Sequence, residues 1–437
     1  MRLATVAVVL FGALNLPAIF APVAAAAVPV SAYTLRPTEA CTPVAILAFR
    51  GSGEENVVPG TTTLAGASTR YPGTDVETNG WEGPTLARLV DAFGRSPRSG
   101  SWPAGFSVAD VPVLGVGGTE TEGYTAVPIE ARPSIFGDMM TSATHGAHYA
   151  QKVIDAFAAT QPEGCHTRYI AVGYSQGAMA ARTLAQTMPG LVSAVMTFGD
   201  PYQQPGAAGN ERQTTGQGII RWWMGENTRA DVDTFYDFAG YKSALCHIGD
   251  PVCSYSWLFG LGALMAAPEP HLNYLEGEEG SVKGQELAGL AAKLWGEAQR
   301  PGPNPAATPS LASAAAGVAG VPMLFGANAG VPGDLVHYEY NVDGDGFFDA
   351  ADSGPGLVLT FTEPGDHTVS VRMTGHGIGQ IILSKTVRIF AQNDAAPTLP
   401  TQNDQIRGCR GDPVAESAGA APLIIDDRHP ETRGDAC

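Results

Sequence analysis

Tyr169-Ile170-Ala171-Val172-Gly173-Tyr174-Ser175-Gln176-Gly177-Ala178-Met179-Ala180-Ala181-Arg182-Thr183-Leu184 passes from an apolar run, through a turn bounded by two glycines, into an alanine-rich run. The first part reads as a buried strand and the last as a helix, and G-x-S-x-G between them has the setting of a nucleophile elbow. So sharp a turn brings its flanking positions close enough for side chains to collide, which accounts for glycine on both sides of Ser175. Ser175 is then expected above a sheet at a strained backbone angle, with its Oγ presented.

Outward from the elbow, strand-like and helix-like stretches alternate from residue 28 to residue 300. Ala45–Phe49 reads as a strand, Thr85–Phe93 as a helix, Val111–Leu114 as a short strand and Ser142–Ala159 as a long helix; Ala194–Phe198 follows the elbow as another strand. Such alternation predicts an α/β fold, a parallel sheet flanked by helices. A Pro/Ala/Ser stretch at 301–316 reads as a linker with no pattern able to bury a face. Residues 317–392 change to short strand-like runs, among them Leu357–Phe361, Thr368–Val371 and Thr386–Phe390, between Gly/Pro/Asp turns. That pattern predicts a small all-β sandwich. Residues 393–437 form a polar tail closed by one disulfide.

The N-terminus (residues 1–27) reads as a secretory signal: Arg2, an apolar region from Val6 to Phe20, then Ala24–Ala27 as a cleavage region. Pro17, Pro22 and the alanine cluster favour removal over a retained anchor, and no later run is long enough to span a bilayer. The mature protein is therefore expected to be soluble and exported; a monomer is the expected state. Six cysteines in an exported chain point to disulfides, with fifteen possible connectivities. Nearest-neighbour pairing would join Cys246 with Cys253 and Cys409 with Cys437, leaving Cys41 for Cys165. A formal net charge of −18 argues against nucleic acid and anionic membrane surfaces as partners, and fits solubility outside the cell equally well.

A serine hydroxyl attacks poorly unless a base takes its proton, and the base needs an acid to orient it. In this sheet architecture the chain order is Ser, acid, His. His271, stiffened by Pro268 and Pro270, is the candidate base, while His247 sits beside the candidate acid; His145 and His148 precede the serine on a helix and read as structural. Two acids compete. Asp250 lies between Cys246 and Cys253, where a short disulfide loop would fix its carboxylate, whereas Asp200 ends a strand and reads better as a turn cap. An oxyanion needs donors as well. The backbone N–H of Gln176 is one, and Ser52, in the glycine-rich loop after the first strand, is the other.

Arg50-Gly51-Ser52, Gly-Tyr-Ser-Gln-Gly, Cys-x-x-Gly-Asp-x-Val-Cys and His-Leu-x-Tyr, in that order between Cys41 and Trp295, resemble the cutinase family of serine esterases. The resemblance implies an α/β-hydrolase-like fold with a five-stranded parallel sheet. It implies the triad Ser175, Asp250 and His271, an oxyanion hole at Ser52 and Gln176, disulfides Cys41–Cys165 and Cys246–Cys253, and neither a metal nor an organic cofactor. Longer segments depart from the compact pattern, including apolar runs at 219–224 and 257–265. These read either as core or as a hydrophobic rim that receives acyl chains.

Tyr338–Gly346 and Phe361–Val369 resemble the PKD family of Ig-like sandwiches, which implies an exported spacer or a binding unit attaching the enzyme to a cell wall or polymer. Asn341, Asp343, Asp345, Asp349 and Asp352 have part of the spacing of a calcium loop, against the plain alternative of a hairpin turn. Arg410-Gly411-Asp412 spells an adhesion tripeptide, too short to carry specificity. The expected activity is hydrolysis of lipid or polyester acyl esters through an acyl-enzyme. An acetyl-polysaccharide esterase and a non-catalytic wall-binding protein are the rivals.

Overall fold

In the computed structural model, residues 40–54, 69–117, 123–129, 134–162, 165–188, 191–211, 216–224, 233–238, 240–255, 269–299, 309–314, 316–329, 336–342, 350–351, 356–375 and 379–391 are described. The signal segment 1–27, the apolar run 257–265, the four aspartates of the calcium spacing, and the tail with Arg410-Gly411-Asp412, Cys409 and Cys437 lie outside them.

The N-terminal sheet is built from β1 (Val44–Phe49), β2 (Thr69–Arg70), β3 (Glu77–Thr78), β4 (Val113–Gly115), β5 (Arg168–Tyr174), β6 (Val192–Phe198) and β7 (Tyr241–Leu245). Its order is β2-β3-β4-β1-β5-β6-β7, parallel throughout except where β2 meets β3. The five-stranded sheet implied by the resemblance is thus extended at one edge by two-residue strands. Helices α1 (Gly83–Gly94), α2 (Ile135–Ala158), α3 (Gln176–Thr187), α4 (Glu269–Leu272) and α5 (Gly277–Ala298) accompany it, with a helical stretch at 219–224 and two short 3-10 turns.

Side chains alternate across β1, and both faces are apolar because both are covered. Ala45, Leu47 and Phe49 pack with α2 and α3, while Val44, Ile46 and Ala48 pack with α1 and α5. The helix predicted from Ser142 begins at Ile135, seven residues earlier. Phe136, Met139 and Met140 are buried against the sheet, and that packing outweighs the low helix propensity of Gly137.

The C-terminal unit forms two sheets from β8 (Ser310–Ala312), β9 (Ala316–Val318), β10 (Pro322–Asn328), β11 (Val336–Asn341), β12 (Ala350–Ala351), β13 (Gly356–Thr360), β14 (Gly365–Gly375) and β15 (Gly379–Phe390). One runs β13-β10-β8 and the other β12-β11-β14-β15-β9. Phe325, Tyr340, Val369, Val371, Met373, Val387 and Ile389 fill the space between them. β8 falls inside the stretch read as linker. It pairs Leu311 with Ala327, so its backbone groups are satisfied by the ladder although its sequence shows no apolar period.

The second unit does not stand apart. Val318, Val321 and Leu324 belong to the same buried cluster as Met139, Ala143 and Ala147 of α2, and Thr144 Oγ1 donates to Pro322 O at 3.4 Å.

Candidate active site

β5 delivers the chain to Ser175, which takes φ 53° and ψ −121°, and α3 starts at the next residue. A Cβ on Gly173 would lie 2.3 Å from Gly177 O, and one on Gly177 would lie 2.0 Å from Phe49 O. Neither position accepts a side chain: Gly173 meets the collision across the turn that the sequence predicts, while Gly177 is barred by the backbone of β1. The Ser175 N–H donates to Phe198 O at 2.8 Å, tying the turn to β6.

His271, on α4, places Nε2 2.9 Å from Ser175 Oγ and Nδ1 2.9 Å from Asp250 Oδ2. Serine, histidine and carboxylate therefore form one hydrogen-bonded chain, and all three side chains are buried. Tyr174 stacks on the imidazole with centroids 5.2 Å apart, and its hydroxyl donates to His271 O at 2.8 Å. A Cβ at Gly199, whose φ is +61°, would meet His271 Cε1 at 2.7 Å, so the end of β6 must be glycine for the ring to fit.

Asp250 is wholly buried in the loop closed by Cys246–Cys253. Oδ1 accepts the Val252 N–H at 2.7 Å, and Oδ2 accepts the Tyr274 hydroxyl at 2.7 Å as well as the His271 bond. Burial pushes the Asp250 carboxyl up, but the charge and hydrogen bond of His271, with the Tyr274 and Val252 donors, outweigh it and hold the group below its ordinary value. Among the described residues, Cys246, Asp250 and Cys253 are the one acid–sulfur group compact enough to suggest a metal, yet both sulfurs are spent in the disulfide.

Ser52 sits in the loop after β1, beside the elbow. Gln176 Nε2 lies 3.4 Å from Ser52 Oγ and 3.5 Å from Val127 O. An amide N–H donated to Ser52 Oγ leaves that hydroxyl's own proton for another acceptor. The loop is held from beneath. Glu54 accepts the Gly51 N–H at 2.6 Å and the Thr85 N–H at 3.0 Å, and the Gly53 N–H donates to Ala126 O at 2.7 Å. Arg50 is buried, donating to Val116 O, Tyr124 O and Thr125 O, with its guanidinium over the Trp81 and Tyr124 rings.

Asp200 is elsewhere engaged: it forms a fully buried ion pair with Arg182 at 2.7 Å and accepts the Tyr202 N–H. His145 and His148 lie on α2, and burial lowers both; Lys152 lowers His148 further. Residues 219–224 are core, with Ile219, Ile220 and Met224 buried and Trp222 packed on Tyr255. The disulfides Cys41–Cys165 and Cys246–Cys253 are both present.

The sequence reading assigned no role to Tyr174, Gly199, Tyr274 or Arg50. Arg50, Tyr174 and Tyr274 stand in the quoted motifs, which is their only signal in the sequence; Gly199 has none.

A parallel sheet flanked by helices, with the serine at a strand-to-helix elbow, places this chain in the α/β-hydrolase class of folds. Residues 104–282 match the family model for cutinase, which supports a cutinase-like ester hydrolase. No curated protein matches the chain. Among solved structures, one described as the basis for promiscuous specificity of carbohydrate-binding modules of the β-sandwich superfamily is 15% identical, with 20% of this chain and 36% of that one covered and a TM-score of 0.17. This chain therefore spans about a third of that structure's length. The fibronectin(III)-like modules of Clostridium thermocellum CbhA are 15% identical over 19% of this chain and 98% of theirs, with a TM-score of 0.16. A nucleoside hydrolase-related hypothetical protein from Saccharophagus degradans is 13% identical over 70% of this chain and 87% of its own, at 0.15. Likenesses this loose bear on neither fold nor function.

Proposed function

We propose that the protein is an exported serine carboxylic-ester hydrolase working through an acyl-enzyme. The observation that carries this reading is the unbroken chain from Ser175 Oγ through His271 to Asp250, both links at 2.9 Å. His271 takes the Ser175 proton as Oγ attacks the ester carbonyl, and then gives it to the leaving alcohol. Asp250 holds Nδ1–H, so that Nε2 faces the serine, and stabilises the imidazolium that forms. The Gln176 N–H and the Ser52 hydroxyl receive the oxyanion. Water, deprotonated by the same imidazole, releases the acid.

Acyl esters of lipids or polyesters suit the surroundings. Leu272, 53% exposed, follows His271 directly, and Ile248, 79% exposed, lies on the Asp250 loop. Exposed apolar side chains next in sequence to His271 and within two residues of Asp250 favour an alkyl chain over a sugar. Export is supported by the two disulfides, which persist in oxidising surroundings. Attachment to a wall or polymer through a PKD-like β-sandwich completes the proposal.

The test is hydrolysis of p-nitrophenyl esters from acetyl to dodecanoyl by the wild type and Ser175→Ala. Medium-chain esters should be preferred, with a loss of about 10³-fold or more in the variant. Activity surviving in Ser175→Ala would overturn the mechanism. Acetyl-only turnover, extending to acetylated polysaccharide, would replace the substrate class, and no turnover by either protein would leave a binding protein.

A further inference from the structure

Behind the Ser175–His271–Asp250 chain lies a second histidine–carboxylate pair that the proposed reaction does not use. His247 follows the first cysteine of the Asp250 loop, and both its ring nitrogens face oxygen. Nδ1 is 2.8 Å from Pro270 O, and Nε2 lies 2.8 and 3.0 Å from the two carboxylate oxygens of Glu279. A carbonyl oxygen only accepts, so Nδ1 must carry a proton. A carboxylate also only accepts, so Nε2 must carry one too. Glu279 is held as the anion by its surroundings: Oε1 accepts the Leu275 N–H at 3.0 Å, and the residue stands in the first turn of α5, where the helix end favours negative charge. A neutral imidazole would leave one of the two contacts without a donor.

We propose that His247 is a doubly protonated imidazolium that latches the segment bearing His271 onto α5, making it a positioning residue for the hydrolytic site. The latch reaches the reacting groups by two routes. Pro270, whose carbonyl it holds, directly precedes His271. Its ring also lies flat on Tyr274, centroids 3.9 Å apart and 11° from parallel, where a cation is favoured over the aromatic face. The His247 backbone N–H donates to the Tyr274 hydroxyl at 2.8 Å, and that hydroxyl donates to Asp250 Oδ2. Donor chains of this kind strengthen each member.

Each element packed around His247 brings a charged or titratable group. Glu279 comes from α5, His271 and Tyr274 from α4 and the turn after it, and Asp250 from its own loop. Arg88 of α1 donates to Tyr274 O at 2.9 Å and pairs with Glu276. The positive charge beside Glu279 leaves the pair neutral, and the same ring lies on the face of Tyr274, whose hydroxyl is bonded to Asp250. The sign follows from the geometry. Only the charged ring makes both bonds, so the latch is whole at low pH and lost as pH rises and His247 gives up a proton.

The role rests on the esterase reading, but its protonation state is testable without activity. The full chain, labelled with ¹⁵N in its histidine rings, is titrated by NMR, with His247 assigned by comparison with His247→Gln. Both ring nitrogens should still show protonated shifts at about pH 8, more than a unit above where an ordinary imidazole titrates. In Glu279→Gln the loss of the proton should move down by about a pH unit or more. The alkaline limb of kcat/KM on a p-nitrophenyl ester should move down with it, while the rate on its plateau stays nearly unchanged. A neutral His247 at pH about 6.5 would overturn the proposal whatever the activity. A protonated His247 whose titration moves in Glu279→Gln with no change in the alkaline limb would overturn the positioning role. A loss of about 10³-fold or more in Ser175→Ala separates these outcomes from a failure of the esterase reading.

Discussion

Asp250 Oδ2 accepts from both His271 and Tyr274, while Oδ1 takes the Val252 N–H. A buried carboxylate survives only with such a full set of donors, and each is worth about 1.5–3 kcal/mol. Tyr274→Phe removes one without changing shape, so kcat/KM should fall about 10- to 100-fold with KM little altered. The same variant should change the acid response. Because Asp250 sits below its ordinary value in the folded protein, the stability it contributes is complete above that ordinary value and is lost as pH falls through its own lower one. With one donor gone, Asp250 rises toward the ordinary carboxylate range and that loss begins at higher pH. Melting temperatures across the acid range for the two proteins check this, and superimposable curves would count against it. That Ser175, His271 and Asp250 would meet was legible in sequence, because the proposed chemistry restricts residue type and chain order together. The parts of Tyr274 and Gly199 were not: the motif His-Leu-x-Tyr marks the position of Tyr274 but not its bond to Asp250, and which ring meets Gly199 depends on contacts distant in sequence.

The two disulfides constrain different things. Cys41–Cys165 spans 124 residues and fastens the chain before β1 to the approach to β5, whereas Cys246–Cys253 spans 7 and encloses Asp250. Loop-closure entropy assigns about 5 kcal/mol to the first and about 2.5 kcal/mol to the second. Cys41→Ser with Cys165→Ser should therefore lower the melting temperature strongly while leaving turnover near normal in the cold. Cys246→Ser with Cys253→Ser should do the reverse, cutting turnover with a smaller loss of stability. Equal effects of the two pairs on turnover would refute this division. Strands β1, β5 and β6 were readable because burial on both faces leaves continuous apolar runs. The first two turns of α2 were hidden by Gly137, and β8 was hidden by its linker-like composition. In both places the decisive contacts come from distant residues, the sheet for α2 and β10 for β8.

Val318, Val321 and Leu324 sit in the core that α2 and α3 share with the large sheet, so the two units unfold against a common apolar surface. The full chain should melt in a single cooperative transition. Leu324→Ala should cost about 2–5 kcal/mol and lower the midpoint of the whole molecule, hydrolytic site included. Calorimetry showing two separate transitions, with the esterase one unmoved by the substitution, would contradict the shared core. The sequence showed that a β unit follows the α/β unit, because the period of the pattern changes. It did not show that they are packed together, since buried residues of β10 look the same whichever partner they meet. The seam also orders biosynthesis. A ribosome working from the N-terminus finishes Ser175, Asp250 and His271 while the strand that will cover α2 and α3 is still unmade. For that interval the nascent polypeptide carries its candidate site with an apolar flank uncovered. Quality control would therefore act on the arrival of the C-terminal unit: a chain stalled short of β10 presents a sticky surface for chaperones or proteases, although every reacting residue has already been made.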